Sequence, residues 1–227
     1  MTTSGDPAGW RAGLRAGGTL ALATAVLGVS FGAFATSAGW SAAATIAMSA
    51  LVLSGAAQFA FVTAVSGGAG LLTGITAGAL MNLRFIPMAA ASSRSLHGGR
   101  LQRAFEGQTV VDGSWVPAQR PDGTTDRELM FAATFVQWAA WIAGTAAGAL
   151  LVPSAEILRT FGLDVVFPCF FLLLLVETLK SRPDLRWVTL AAAAVTSAAV
   201  LVLPVGLALL AAIVATPLVL LGRRRPA

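Results

Sequence analysis

Apolar residues in this chain come in long unbroken runs, without the spacing of a single helix face or the alternation of a half-buried strand, and the polar joints between them are short. Residues 17–38 are 22 positions without a charge, which at about 1.5 Å per residue reach roughly 33 Å, enough to cross a hydrocarbon core of about 30 Å. Further charge-poor runs cover residues 41–66, 69–93, 129–152, 162–179 and 187–221. The last is too long for one helix, and Pro204 and Gly206 divide it into residues 187–203 and 205–221. The pattern predicts an all-α polytopic membrane protein of about seven transmembrane helices, forming a single transmembrane domain over residues 1–227. Arg11 and Arg15 before the first run resemble a secretory signal, but the run exceeds the roughly 7–15 apolar residues of a signal core and a second run follows at once, so it reads as a retained helix.

Residues 94–128 are the one long polar stretch, with ten of the chain's 25 charges and turn signals such as Arg120-Pro121-Asp122-Gly123. Its middle, Thr109 to Val116, is too short to assign by periodicity and is expected either on the interface or dipping between helices. If all seven runs cross, the side with this loop, the Lys180–Arg186 joint and the Arg223-Arg224-Arg225 tail holds eleven basic residues against three, which makes it cytoplasmic and puts the N-terminus outside. If residues 41–66 re-enter without crossing, the count becomes thirteen against one and the N-terminus lies inside. The length of that run, enough for a full crossing, favours seven spans.

Composition narrows the class. The chain is 56% hydrophobic and 11% charged, against about a quarter charged in an average soluble domain, so most of its exterior faces lipid. A single cysteine, Cys169, and a single histidine, His97, leave no disulfide and no metal-ligand cluster, so neither a metal nor another cofactor is expected. The pI near 11.2 does not indicate nucleic acid, because the basic residues punctuate apolar runs and do not gather on a soluble face. No Gly-x-Ser-x-Gly element, phosphate-cradling loop or buried serine–lysine pair is present, so no catalytic residues and no enzyme are expected. Trp10, Trp40, Trp115, Trp138, Trp141 and Trp187 fall mostly near segment ends and read as interfacial anchors.

Polar side chains within spans are costly and therefore informative. Arg84 lies ten residues from Arg94, about 15 Å along a helix, and Pro87 follows within one turn. Residues 82–87, Asn82-Leu83-Arg84-Phe85-Ile86-Pro87, therefore describe a broken helix in which Pro87 frees the Leu83 carbonyl beside an amide and a guanidinium. Such a break builds a substrate site in transporters, although an arginine can also snorkel to the interface. Ser54 and Gln58 share a helix face with Gly55 between them, which suits contact with an amino or carboxylate group and equally a bond to a neighbouring helix. Asp164, followed by Pro168 as a second helix break, is read as an N-cap or as a group handling an ion or proton. Phe31 and Phe59 are candidate walls for an apolar side chain. Finally, Gly28-Val29-Ser30-Phe31-Gly32 in the first run is echoed by Gly144-Thr145-Ala146-Ala147-Gly148 in the fourth, which fits either an inverted repeat or ordinary small-residue packing.

Phe31-Gly32-Ala33-Phe34, Met48-Ser49 leading to Ser54-Gly55-Ala56-Ala57-Gln58-Phe59, Asn82-Leu83-Arg84 and Gly162-Leu163-Asp164 resemble, in order and spacing, the AzlC family, the BrnF-like large subunits of bacterial branched-chain amino-acid exporters. The resemblance implies a multi-pass secondary transporter of the bacterial inner membrane. It would export leucine, isoleucine and valine, with methionine a further candidate, by proton-coupled antiport. It also implies a small hydrophobic AzlD-type partner subunit, and a homo-oligomer is compatible with it. Two positions depart from the family pattern: Phe85 stands where a histidine commonly follows Asn-x-Arg, and Asp112 is followed by Gly113 where an acidic pair is frequent. The candidate substrate-binding set is then Phe31, Ser54, Gly55, Gln58, Phe59, Asn82 and Arg84, with Asp112 and Asp164 as coupling candidates. The alternative is a non-transporting scaffold or sensor subunit whose polar residues only hold helices together.

Overall fold

A computed structural model describes residues 7–120 and 122–151, residues 160, 162, 165, 169, 172, 175, 176, 179, 180 and 183, and residues 186–203. The described helices are α1 (Pro7–Ser37), α2 (Ala42–Leu51), α3 (Gly55–Ser66), α4 (Leu71–Asn82), α5 (Phe85–Ser92), α6 (Arg100–Gly107), α7 (Asp112–Trp115), α8 (Arg127–Leu151) and α9 (Arg186–Val200). The fold is helical among the described residues, as the apolar runs imply. Two helices, Ala8–Ser37 and Arg127–Leu151, are long and apolar enough to cross a membrane, and a third span arises if the bent pair α4 and α5 is counted as one. The expected span at 205–221 lies outside the described residues, and that at 162–179 is described only at scattered positions.

The chain forms two compact units, Met1–Gly55 with Asn82–Leu163, and Ala56–Met81 with Asp164–Ala227. The first is built on α1 and α8. A Cβ added at Gly13 would strike the Leu129 carbonyl, one at Gly17 the Ala133 carbonyl, one at Gly32 the Thr145 carbonyl, and one at Gly148 the Val29 carbonyl. Only glycine permits this approach of backbone to backbone, which in an apolar medium yields dispersion energy that burial alone cannot supply.

The order of these contacts fixes direction. Gly9 lies beside Asp126 and Glu128, Gly13 beside Leu129, Gly28 beside Trp141 and Gly32 beside Thr145, so α1 and α8 run parallel. The repeated Gly-x-x-x-Gly elements therefore meet each other in the same direction. This corrects the inverted-repeat reading for this pair: the echo is a packing seam.

The run at 41–66 is not one helix. Gly39, at φ +91°, ends α1 and Ser41 caps α2, its hydroxyl accepting from Ala44 N–H at 3.2 Å. Helix α2 then stops after ten residues in an extended Val52. Residues 52–54 separate it from α3, so the expected continuous span is corrected to two helices of about 15 and 18 Å, each too short to cross alone.

In the second unit α3 and α4 form an antiparallel hairpin. Gly74 packs on Phe61 and Val65, Gly78 on Ala57, and the turn between them uses positive φ at Gly68 and Gly70. The run at 69–93 breaks at Leu83–Arg84, where α4 and α5 meet at a bend of 47°, as the sequence implies. Pro87 sits in the first turn of α5, where its missing N–H costs nothing. The Leu83 carbonyl, expected to be left free, instead accepts from Ile86 N–H at 3.1 Å.

Candidate functional site

Part of the polar stretch packs against α8 and does not simply cap the unit. Val110, Ala118 and Met130 are buried together, with Met88, Leu96, Trp115, Leu129 and Phe131 against them. Thr134 Oγ1 donates to the Thr109 carbonyl at 2.7 Å and lies 2.7 Å from Ser114 Oγ, and a Cβ at Gly113 would collide with the Gln137 amide oxygen. Thr134 lies seven residues into α8, so the α7 turn reaches roughly 10 Å below the start of that helix. Thr109–Val116 thus packs beside α8.

This packing brings Asp112 to the broken helix. Asp112 Oδ2 pairs with Arg84 Nη2 at 2.8 Å, with the two side chains 55% and 36% exposed. The Arg84 guanidinium also stands 5.0 Å from the centre of the Phe85 ring, which supplies a cation–π face. Among the described residues, Arg84 Nε and Asn82 Oδ1 are buried without a hydrogen-bond partner. Within a bilayer, exposing such half-uncovered charged atoms to hydrocarbon would cost several kcal/mol. The Arg84–Asp112 pair joins a sequence-derived substrate candidate to a sequence-derived coupling candidate.

The remaining candidates divide. Phe31 is fully buried and stacks on Trp141 at 6.0 Å between ring centres, and Gly55 lies against the same indole, where a Cβ would not fit. Trp141 Nε1 donates to Ser49 Oγ at 3.1 Å, Ser49 Oγ lies 2.9 Å from Thr145 Oγ1, and Trp138 Nε1 donates to the Ser49 carbonyl at 3.3 Å. Trp115 Nε1 donates to Ser92 Oγ at 2.9 Å. These three tryptophans tie segments together. Ser54 precedes α3 and is buried, so it does not share a helix face with Gln58 as expected. Gln58 and Phe59 are buried on α3, in the second unit. Asp164 and Pro168 lie outside the described residues.

Sequence reasoning gave no role to Thr109, Ser114, Thr134, Gln137 and Thr145, and named Ser49 only as part of a resemblance. Gln137 and Thr134 carried a usable signal, polar groups within an apolar run, whereas nothing local marks a partner 20 or more residues away. Nearer the polar end, Glu106 is buried and accepts from Arg127 Nη2 at 2.6 Å, from His97 N–H at 3.0 Å and from Gln102 Nε2 at 3.3 Å. The Arg127 hydrogen bond, aided by His97 N–H and opposed by burial, holds its carboxyl below the usual carboxylate range.

Long apolar helices joined along a glycine seam define a helical membrane protein. The family model described as AzlC protein matches residues 19–154, more than half of the chain. The chain belongs to the AzlC family, which is associated with branched-chain amino-acid transport. No curated protein and no solved structure matches it.

Proposed function

We propose that the protein is the large subunit of a two-component secondary transporter that exports branched-chain amino acids across the bacterial inner membrane, with proton antiport as its coupling. A small hydrophobic AzlD-type subunit is its partner. The observation that carries the reading is the Arg84–Asp112 pair at the break between α4 and α5, with Asn82 Oδ1 and Arg84 Nε buried and unpartnered beside it. A helix break that keeps polar atoms uncommitted is costly for a scaffold and useful for a zwitterionic ligand.

The parallel α1–α8 seam supports a multi-pass topology. If both helices cross in the same direction, the chain between them crosses an odd number of times, and of its two interrupted apolar runs 69–93 is the one whose two helices together are long and apolar enough for a bent span. Residues 41–66 then re-enter, the N-terminus shares the cytoplasm with residues 94–126, and thirteen basic residues lie inside against one outside. In a Cys169→Ser background, Ser4→Cys and Gly99→Cys should both be blocked by an impermeant maleimide only in inside-out vesicles. Labelling of the two from opposite sides would refute this topology.

Function is tested by reconstituting the chain with and without the small partner and measuring counterflow of labelled leucine. Arg84→Ala should abolish counterflow while the protein remains in the membrane; unchanged counterflow would sink the assignment. Absence of counterflow in every combination would favour the scaffold reading.

A further inference from the structure

The state of the three polar groups at the break carries an inference that rests on the transport reading. Arg84 spends one terminal nitrogen on Asp112 while its Nε–H is buried without an acceptor, and Asn82 Oδ1, two residues earlier, is buried without a donor. The site therefore holds a cation already neutralised by a carboxylate, an N–H needing an acceptor and an oxygen needing a donor. An α-amino acid carries a carboxylate and an ammonium on one carbon and supplies both missing partners. A guanidinium binds a carboxylate best through two parallel N–H groups, and the bond to Asp112 uses only one nitrogen.

Asp112 is well placed to give way. It opens a helix of four residues, followed by Gly113, and its side chain is more than half exposed. Ion pairs with that much exposure contribute little, so a ligand making a bidentate contact in the same place outcompetes it. Of the side chains on α8 beside the α7 turn, Thr134 is bonded to Ser114 and Thr109, and the uncharged amide of Gln137 abuts Gly113, so neither gives the carboxylate a second cation.

We propose that Asp112 is an internal stand-in for the substrate's carboxylate. It occupies Arg84 in the empty site and is displaced when the α-carboxylate of the amino acid takes the guanidinium, with the α-ammonium donating to Asn82 Oδ1. No covalent bond changes; one carboxylate replaces another. The exchange makes a free carboxylate, and not the branched side chain, the feature a ligand must carry to open the site.

The test uses the full chain in lipid nanodiscs and equilibrium binding of three probes: leucine, leucinol, which lacks the carboxylate, and 4-methylpentanoate, which lacks the amine. Asp112→Asn removes the competitor and should tighten leucine and 4-methylpentanoate by about two- to fivefold while leaving leucinol unchanged. Asp112→Glu keeps a carboxylate and should bind all three more nearly as the unaltered protein does. Asn82→Ala should weaken leucine and spare 4-methylpentanoate. Unchanged or weaker leucine binding in Asp112→Asn overturns the displacement while leaving the transport reading intact, as does equal tightening of leucinol, which signals general loosening. If the unaltered, monodisperse protein binds leucine in neither the presence nor the absence of its partner, the transport reading falls and this proposal with it.

Discussion

Along the seam between α1 and α8, Gly13, Gly17, Gly28, Gly32, Gly144 and Gly148 set backbone against backbone, while at the break before α5 Asn82 and Arg84 keep buried polar atoms that nothing among the described residues satisfies. Both regions belong to the same unit, and both depart from the plain apolar helix. The seam removes side chains so that the helices come close enough for dispersion to hold them. The break retains side chains whose hydrogen bonds are incomplete, a cost that a purely structural element has no reason to bear. Close packing and uncommitted polar atoms are thus separated along the chain, the first written in glycine and the second in polar groups beside a proline.

The largest expected effect is at the seam. Gly148→Val drives a branched side chain into the Val29 carbonyl and should lower stability by about 3 kcal/mol, read as thermal unfolding in detergent. Gly18→Val is the internal control, because a Cβ there meets nothing within 4 Å. Equal melting of the two variants would break the comparison.

Next comes Ser49, whose hydroxyl serves Trp141 and Thr145 together. Ser49→Ala leaves the half-buried Trp141 indole N–H without that acceptor and should cost about 1–2 kcal/mol by the same measurement. No loss would show that water replaces the hydroxyl and that α2 is held otherwise.

A smaller and pH-dependent effect is expected at Glu106. Its carboxyl is held down chiefly by Arg127, so the folded form favours the ionised acid. That contribution is present above the ordinary carboxylate value and is lost as pH falls through the lowered one. Amide exchange across residues 94–126, corrected for intrinsic pH dependence, should therefore rise on acidification below the usual carboxylate range, and Glu106→Gln should show the raised exchange already at neutral pH. The smallest effect on stability belongs to the break itself: Asn82→Ala removes an oxygen with no partner and should change melting by less than about 0.5 kcal/mol while impairing leucine counterflow. A large loss of stability there would make Asn82 structural and erase the contrast with the seam.

Much of this was legible in the chain. The break at residues 82–87 is local chemistry, since Pro87 and a charged residue within one turn perturb a helix in any surroundings. The limit near residue 67 was equally readable from its glycines. The interruption at 52–54 was not, because Val52-Leu53-Ser54 contains no breaker and only packing ends α2 there. The pairing of Arg84 with Asp112 was not readable either: each was singled out, but 28 positions of chain separate them, and local periodicity carries no information about which loop folds back on which helix.

The sequence by itself determined a helical membrane protein, the positions of most of its polar interruptions and membership of a family, because lipid compatibility and helix breaking depend on residue type and near neighbours. Only the tertiary structure decided that α1 and α8 run parallel, that Thr109–Val116 packs beside α8, and that Asp112 closes on Arg84. Those outcomes depend on which surfaces fit at backbone distance, and a glycine looks the same in the sequence whether it faces lipid, as the open position at Gly18 allows, or the carbonyl of another helix, as at Gly148.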